Sequence, residues 1–315
     1  MIIAKHSRIV DRALTRLKLR QLRLLVAVGN HGSIQNAARE LGISQPAATK
    51  MIQDLEIDFE VTLFTRTNRG VIPTVFGDTL IRHGKLIFAQ VSNAAQELDD
   101  LNDGNSGRVV VGTLLAASTK LLPAAIAMVL RERPKLAIKI VEGTNEILMP
   151  ALLSGEIDLV VGRLPSHRHR DKLKQEKLFD DCVTAVVGNK HPLAQHKAVP
   201  FDQIKPFGWI LPPPETTMRR QIDQFFISQD QYSPPFAIES VSYLANRAML
   251  QTSDWIGLMP AEVVQQDVEN GYLTALDWEV PLGQSPIGLT YRRDNSLSPA
   301  GQAFKDALHR AALDR

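Results

Sequence analysis

Apolar residues fall into three successive rhythms along this chain, and each predicts a different kind of structure. In the first, Leu22, Leu25 and Val26 recur at helical spacing, and residues 33–56 then read as two short helices joined by a tight turn. Ser33 and Ser44 stand where N-caps are wanted, and Gly42 where a helix must end with positive φ. Pro46 falls in the first turn of the second helix, where its missing N–H costs little. Ala48, Met51, Ile52 and Leu55 sit at i, i+3, i+4, i+7 and make a buried stripe. The opposite face then carries Gln45, Ala47, Thr49, Lys50 and Gln53, while the small pair Ala37 and Ala38 lets the two helices approach closely. From Leu63 to Val71, alternation around a polar, glycine-bearing tip predicts a two-stranded wing with Arg66 and Arg69 at its end.

The second rhythm is a heptad. Thr74 is placed to cap a long helix, roughly Val75 to Leu101, in which Leu80, Gly84, Ile87, Val91, Ala94, Leu98 and Leu101 alternate spacings of four and three. Such a seam buries itself against its own domain or against a second copy. A helix this long needs a partner, so a dimer seam is expected, with Leu80, Ile87, Val91, Ala94, Leu98 and Leu101 as its residues. Residues 103–107 read as a hinge loop.

The third rhythm is strand–helix alternation, which makes parallel sheet flanked by helices. Strands are expected at 108–113, 136–142 and 157–162, with helices at 119–133 and 146–153. A second set follows, with strands at 182–188, 209–211, 236–240 and 255–259 and helices near 219–228 and 244–251. A strand at 287–291 and a closing helix at 299–312 finish the chain. The expectation is an α/β fold class overall, with an N-terminal winged helix-turn-helix, a linker helix and two α/β lobes. Its boundaries are an extension at 1–17, a head at 18–74, a linker with hinge at 75–106 and an effector domain at 107–315.

Composition sharpens this picture in two respects. A length of 315 residues suits about two or three domains. The net charge of +2 is unevenly spread: residues 1–75 hold eleven Lys and Arg against six Asp and Glu, so the rest of the chain is mildly acidic. A basic front end on such a body suits a reader of DNA with a separate sensing module. The start of the chain lacks an apolar core with a cleavage site, and no apolar run has membrane-spanning length, so a cytoplasmic location is expected. The single cysteine, Cys182, excludes an internal disulfide and is expected to be a buried, inert thiol.

The polar face of the second helix suits a major groove: amide to adenine, methyl to thymine, ammonium to guanine or phosphate. Ser33, Ser44, Gln45, Pro46, Ala47, Thr49, Lys50, Gln53, Arg66 and Arg69 are the candidate DNA residues. The bland alternatives are an αα-hairpin with a solvated face and arginines kept for solubility. In sheets of the expected kind a ligand sits beyond the carboxyl ends of the strands. Those ends bring Thr113, Ser118, Thr119, Thr144, Arg163, Pro213, Ser240 and Ser242 forward as effector contacts. The competing reading has Ser118 and Ser242 as helix caps and Arg163 facing solvent. His167-Arg168-His169-Arg170 reads as a solvated loop, and neither a metal nor a cofactor is expected. No nucleophile–base motif, phosphate loop or paired Cys-x-x-Cys occurs, which argues against an enzyme. An exported solute receptor with the same two lobes would leave residues 33–56 without a role.

The stretch from Leu19 to Thr74 resembles the winged helix-turn-helix of LysR-type transcriptional regulators. The matching residues are Leu22, Ala37-Ala38, Leu41, Ser44-Gln45-Pro46-Ala47, Leu55-Glu56, Leu63-Phe64, Arg66 and Pro73-Thr74. Thr49 and Lys50 stand where that family usually shows serine and arginine. This variant is similar to the branch with regulators of protocatechuate breakdown and of sugar-binding-protein genes. Seventeen residues precede Lys18, more than the family usually carries, and they read as a basic arm or an upstream start. Leu121-Leu122-Pro123, Leu152, Gly155, Asp158-Leu159, His191-Pro192-Leu193-Ala194, Ile256-Gly257-Leu258-Met259-Pro260, Leu297-Ser298-Pro299 and Phe304 resemble the effector domain. Asp254-Trp255 stands where smaller residues are usual. The resemblance spans about residues 18–312 and implies a type-2 periplasmic-binding-protein fold whose last segment completes the first lobe, so that one lobe is about 107–180 with 281–315 and the other 181–280. It also implies dimerisation through the linker helix, a homodimer or homotetramer on an interrupted palindrome in double-stranded DNA, and RNA polymerase as a further partner. The effector it implies is small, an organic anion or a sugar-derived metabolite.

Overall fold

The computed structural model of the chain describes residues 10, 12, 14–103, 107–165, 171–228, 237–293 and 297–314, and of residues 99–103 and 237 the backbone only. They form two compact units, one reaching to Ala94 and taking in Ser154–Glu156, the other made of Ala95–Leu153 and Ile157 to the last helix. Three helices of the head are α1 (Leu19–His31), α2 (Ile34–Glu40) and α3 (Gln45–Phe59). Their ends are set by the predicted residues. Ser33 Oγ accepts from Asn36 N at 3.3 Å, Ser44 Oγ accepts from Ala47 N at 3.4 Å, and Gly42 takes φ 63°. Leu22, Leu25, Val28, Ala37, Ala38, Ala48, Ile52, Leu55 and Leu63 close the core between them. The wing, β1 (Phe64–Thr67) and β2 (Gly70–Pro73), is an antiparallel pair with Arg66 opposite Val71.

Two contacts hold that wing to the helices. Glu56 Oε1 accepts from the backbone N–H groups of Leu63 at 2.7 Å and Phe64 at 3.4 Å. Val71 N donates to Gly32 O at 2.8 Å, and a Cβ on Gly70 would lie 2.3 Å from that same oxygen, so only glycine allows the approach. Arg12 pairs with Glu60 at 3.1 Å and Arg16 lies 3.8 Å from Asp58. These two arginines of the N-terminal extension are thus spent on the C-terminal end of α3.

Helix α4 (Val75–Asp103) begins on Thr74, whose Oγ1 accepts from Gly77 N at 3.1 Å and donates to Thr62 O at 2.7 Å. Here one expectation is corrected: Leu80 packs on the core of its own unit beside Ile81 and Phe88, and a Cβ on Gly84 would sit 3.2 Å from Val26. The first two turns of the heptad are therefore used within the protomer. Ile87, Val91 and Leu98 are 38%, 51% and 64% exposed, and Ala94 is exposed too. The side chain of Leu101 and most of the expected hinge lie outside the described residues.

The second unit holds two five-stranded sheets. The first runs β4 (Ala137–Glu142), β3 (Arg108–Thr113), β5 (Leu159–Arg163), β12 (Ser285–Arg292), β6 (Leu173–Asp181). Strand β3 is parallel to β4 and β5, whereas β12 returns from the end of the chain antiparallel to β5 and β6. Helices α5 (Leu115–Ser118), α6 (Leu121–Glu132), α7 (Asn145–Leu153) and α12 (Pro299–Leu313) accompany it. The second sheet runs β11 (Leu273–Ala275), β7 (Val183–Gly188), β10 (Ile256–Pro260), β8 (Trp209–Leu211), β9 (Ala237–Glu239). With it go α8 (Phe201–Ile204), α9 (Thr217–Ser228), α10 (Tyr243–Thr252) and α11 (Ala261–Glu269).

Five elements escape the sequence pattern: α5, β6, α8, α11 and β11. Strand β6 has polar Lys174-Gln175-Glu176-Lys177 where alternation would be sought, because it is an edge strand. The expected helix at 119–133 is α6, and the turn of α5 stands before it as a separate element. Cys182 is also corrected: it is exposed, because it stands between inward-facing Asp181 and Val183 where the chain passes from β6 to β7.

On that edge strand, burial raises the Glu176 carboxyl, but hydrogen bonds from Tyr291, His309, Lys305 and Lys174 outweigh it and hold the group at about 2. A depressed carboxylate stabilises the fold above its unfolded value and loses that contribution as pH falls towards 2. Glu176→Gln is expected to cost about 1–2 kcal/mol at neutral pH, after discounting for partial exposure. Urea titrations of wild type and variant should draw together below the ordinary carboxylate range and converge only at about pH 2 or lower.

Candidate nucleic-acid interface and ligand cavity

The exposed face of α3 carries Gln45, Ala47, Lys50 and Gln53, with Pro46 exposed in its first turn. Thr49 is half-buried and accepts from Gln45 Nε2 at 2.9 Å, so one amide N–H holds the glutamine along the helix. The wing tip is closed by Thr67, whose Oγ1 donates to Gly70 O at 3.2 Å and accepts from Arg69 N at 3.3 Å. Arg66 and Arg69 are exposed there, and among the described residues neither has an ion-pair partner. The N-termini of α2 and α3, capped by Ser33 and Ser44, present backbone N–H groups of the kind that favour phosphate. The face can therefore take both base edges and backbone.

In the second unit a cavity of about 440 Å³ lies at the ends of β3, β5, β8 and β9. It collects Thr144, Arg163, Ser240 and Ser242 from the expected set. Thr113, Ser118, Thr119 and Pro213 are not on its wall. Thr113 is buried beneath it, and Ser118 Oγ donates to Leu115 O at 2.8 Å inside its own helical turn, so that turn offers Leu115 and Ala116 instead. Ser242 caps α10, accepting from Ala245 N at 3.4 Å, and also lines the cavity.

Arg163 does not face solvent: it is 7% exposed. Its guanidinium donates to Ser285 Oγ and lies 3.9 Å from Asp181. Burial lowers its pKa from the ordinary arginine value, and Asp181 opposes that shift. Asn145 donates from Nδ2 to the Arg163 carbonyl at 3.4 Å. Asn145 and Asn246 are both wall residues that pattern reading missed. Asn145 lies just past the strand expected at 136–142, but one turn into α10 nothing in the periodicity marks Asn246 as inward. Arg219 was missed as well. It is buried and donates to Asp223 at 2.9 Å, to Pro212 O at 3.1 Å and to Glu239 at 3.3 Å, fixing the ends of β8 and β9. The i, i+4 pairing of Arg219 with Asp223 is its one sequence signal.

Among the described residues no three His, Cys, Asp or Glu side chains could hold a metal ion, and the expected loop at 167–170 lies outside them. No described helix is long and apolar enough to cross a membrane.

A winged helix-turn-helix followed by a long helix and a two-lobed domain with a cavity is the build of a ligand-responsive transcription regulator. The family model described as a bacterial regulatory helix-turn-helix protein of the lysR family matches residues 19–78, and the LysR substrate binding domain matches residues 102–313. The chain belongs to the LysR family: it is a DNA-binding transcriptional regulator with a two-lobed effector domain. It is 32% identical over 300 residues to the regulator GbpR of Azospirillum brasilense, covering 95% of this chain and 87% of that one. With the regulator PcaQ of Agrobacterium fabrum it shares 32% over 297 residues, 94% of this chain and 96% of the relative. These two stand in the branch that the Thr49-Lys50 variant resembles. Among solved structures, CbnR, a LysR family transcriptional regulator, superposes with TM-score 0.67 at 18% identity over 94% of this chain and 99% of its own, which shows the shared fold.

Proposed function

We propose that α3 enters the major groove, with Gln45, Thr49 and Lys50 reading bases, while Ser33, Ser44, Gln53, Arg66 and Arg69 hold the backbone or the minor groove. What carries this reading is the exposed face Gln45, Ala47, Lys50, Gln53 beside a wing tip with two unpaired arginines. Two copies, joined through the seam from Ile87 to Leu98, would present two such heads to an interrupted palindrome. A small effector in the 440 Å³ cavity, touching Thr144, Arg163, Ser240 and Ser242, would then set operator affinity or bend. RNA polymerase is a further partner on this reading.

Gln45→Ala and Arg66→Ala test it. The first is expected to relax specificity at one base pair by about 1–3 kcal/mol with the salt dependence kept. The second should weaken all sequences alike and flatten the slope of log affinity against log salt by about 1. Fluorescence anisotropy on an operator and its single-base variants separates the two. A Gln45→Ala protein with the wild-type preference at every base pair would mean that α3 docks differently.

A further inference from the structure

The cavity wall also constrains what kind of molecule it takes, an inference that rests on the effector reading above. Among the described residues, Arg163 is its one cationic wall residue: Nη1 donates to Ser285, the buried Nη2 has no hydrogen-bond partner there, and Asp181 lies 3.9 Å away and balances the charge. Two carboxylates, Glu142 and Glu146, stand on the same wall, and both residues are exposed. An incoming carboxylate would meet an arginine whose charge Asp181 already balances, and it has no donor for the buried amide oxygens of Asn145 and Asn246. An incoming ammonium would have to settle beside the buried arginine, while the rim carboxylates that attract it are screened by salt. Neither charged class is well received.

Asn246 points to the alternative. It lies on the wall from the second lobe and is only 4% exposed, yet its Oδ1 has no hydrogen-bond partner among the described residues. On the first lobe, Asn145 has its Nδ2 engaged by the Arg163 carbonyl and its buried Oδ1 without a partner there. Buried amide groups are nearly always satisfied, so two such groups around one cavity call for a ligand that supplies the missing bonds. A hydroxyl does so for an amide in either orientation, because it both donates and accepts. The rest of the wall includes hydroxyls of Thr144, Thr217 and Ser240 and apolar Ile210 and Met259. From these placements we infer that the effector is an uncharged, hydroxyl-bearing small molecule, and that Asn246 is the residue of the second lobe that selects it. Of the two classes expected from sequence, the organic anion is set aside.

Matched probes decide the matter on the full chain by thermal shift at millimolar concentration: D-glucose, D-glucuronate and D-glucosamine, then benzyl alcohol, benzoate and benzylamine. The expected result is a rise in Tm with an alcohol and none with its acid or amine. Asn246→Leu should leave the unliganded Tm unchanged or raised, because a partnerless buried amide is replaced by an apolar group of similar size. It should weaken the alcohol about tenfold or more. A larger shift from an acid or amine overturns the inference, as does no shift from either alcohol, or a lowered unliganded Tm in Asn246→Leu. The cavity-filling Ser240→Trp separates the two readings. If it abolishes an acid's shift, the cavity reading stands and only the class is wrong. A shift that survives both substitutions places the ligand outside the cavity and removes the effector reading as well.

Discussion

Ile87→Asp is expected to turn the protein into a monomer and to weaken operator binding by about a hundredfold or more, the avidity of two joined heads. In the protomer Ile87 is 38% exposed, so an aspartate there is solvated and both units should fold as before. Between two protomers the same carboxylate would be buried in an apolar seam beside Val91, at a cost of several kcal/mol. Light scattering together with anisotropy on operator DNA reads both effects. Leu80→Asp should behave differently, because Leu80 packs on the core of its own head, and that variant should lose the head's cooperative unfolding. An Ile87→Asp protein that is dimeric with normal DNA affinity would mean the seam does not join two copies.

The second large effect is expected at Glu56. Its Oε1 is the acceptor for two wing N–H groups, from Leu63 at 2.7 Å and Phe64 at 3.4 Å. Glu56→Ala leaves both donors without that partner, and hydrogen bonds to a charged group contribute about 1.5–3 kcal/mol each. Partial exposure reduces the total, so a loss of about 2–4 kcal/mol in the head is expected. The wing carrying Arg66 and Arg69 would no longer be fixed beside α3, and affinity for all DNA sequences should fall together. Glu56→Gln keeps an acceptor and should lie between. Hydrogen exchange of the Leu63 and Phe64 amides is the direct measure. Unchanged protection in Glu56→Ala would show that the wing is held by Val71 and Gly32 instead.

How much of this was legible in the sequence depended on whether position alone fixes an outcome. Ser33, Ser44, Gly42 and Pro46 act through local backbone geometry, so each lies where the pattern put it. Strands such as Arg108–Thr113 and Trp209–Leu211 are apolar runs between turn signals and were read to the residue. The edge strand Leu173–Asp181 was not, because its charged residues are anchored by cross-strand partners on β12 and α12 that no local pattern reveals. Leu80 was misassigned for a related reason: a heptad shows that a face is apolar, not which neighbour covers it. The cavity was half visible. Strand ends lead to Thr144, Arg163, Ser240 and Ser242, whereas Asn246 depends on how the helix after such an end is turned.

Whether this chain reads DNA as a paired winged helix-turn-helix is decided by a nuclease footprint of the purified full-length protein on the DNA upstream of its own coding sequence, with excess non-specific competitor. The predicted result is protection of two half-sites related by a dyad and centred one or more helical turns of about 10–10.5 base pairs apart, and its loss with Ile87→Asp. Protection of a single site unaffected by Ile87→Asp, or none that survives the competitor, would contradict it.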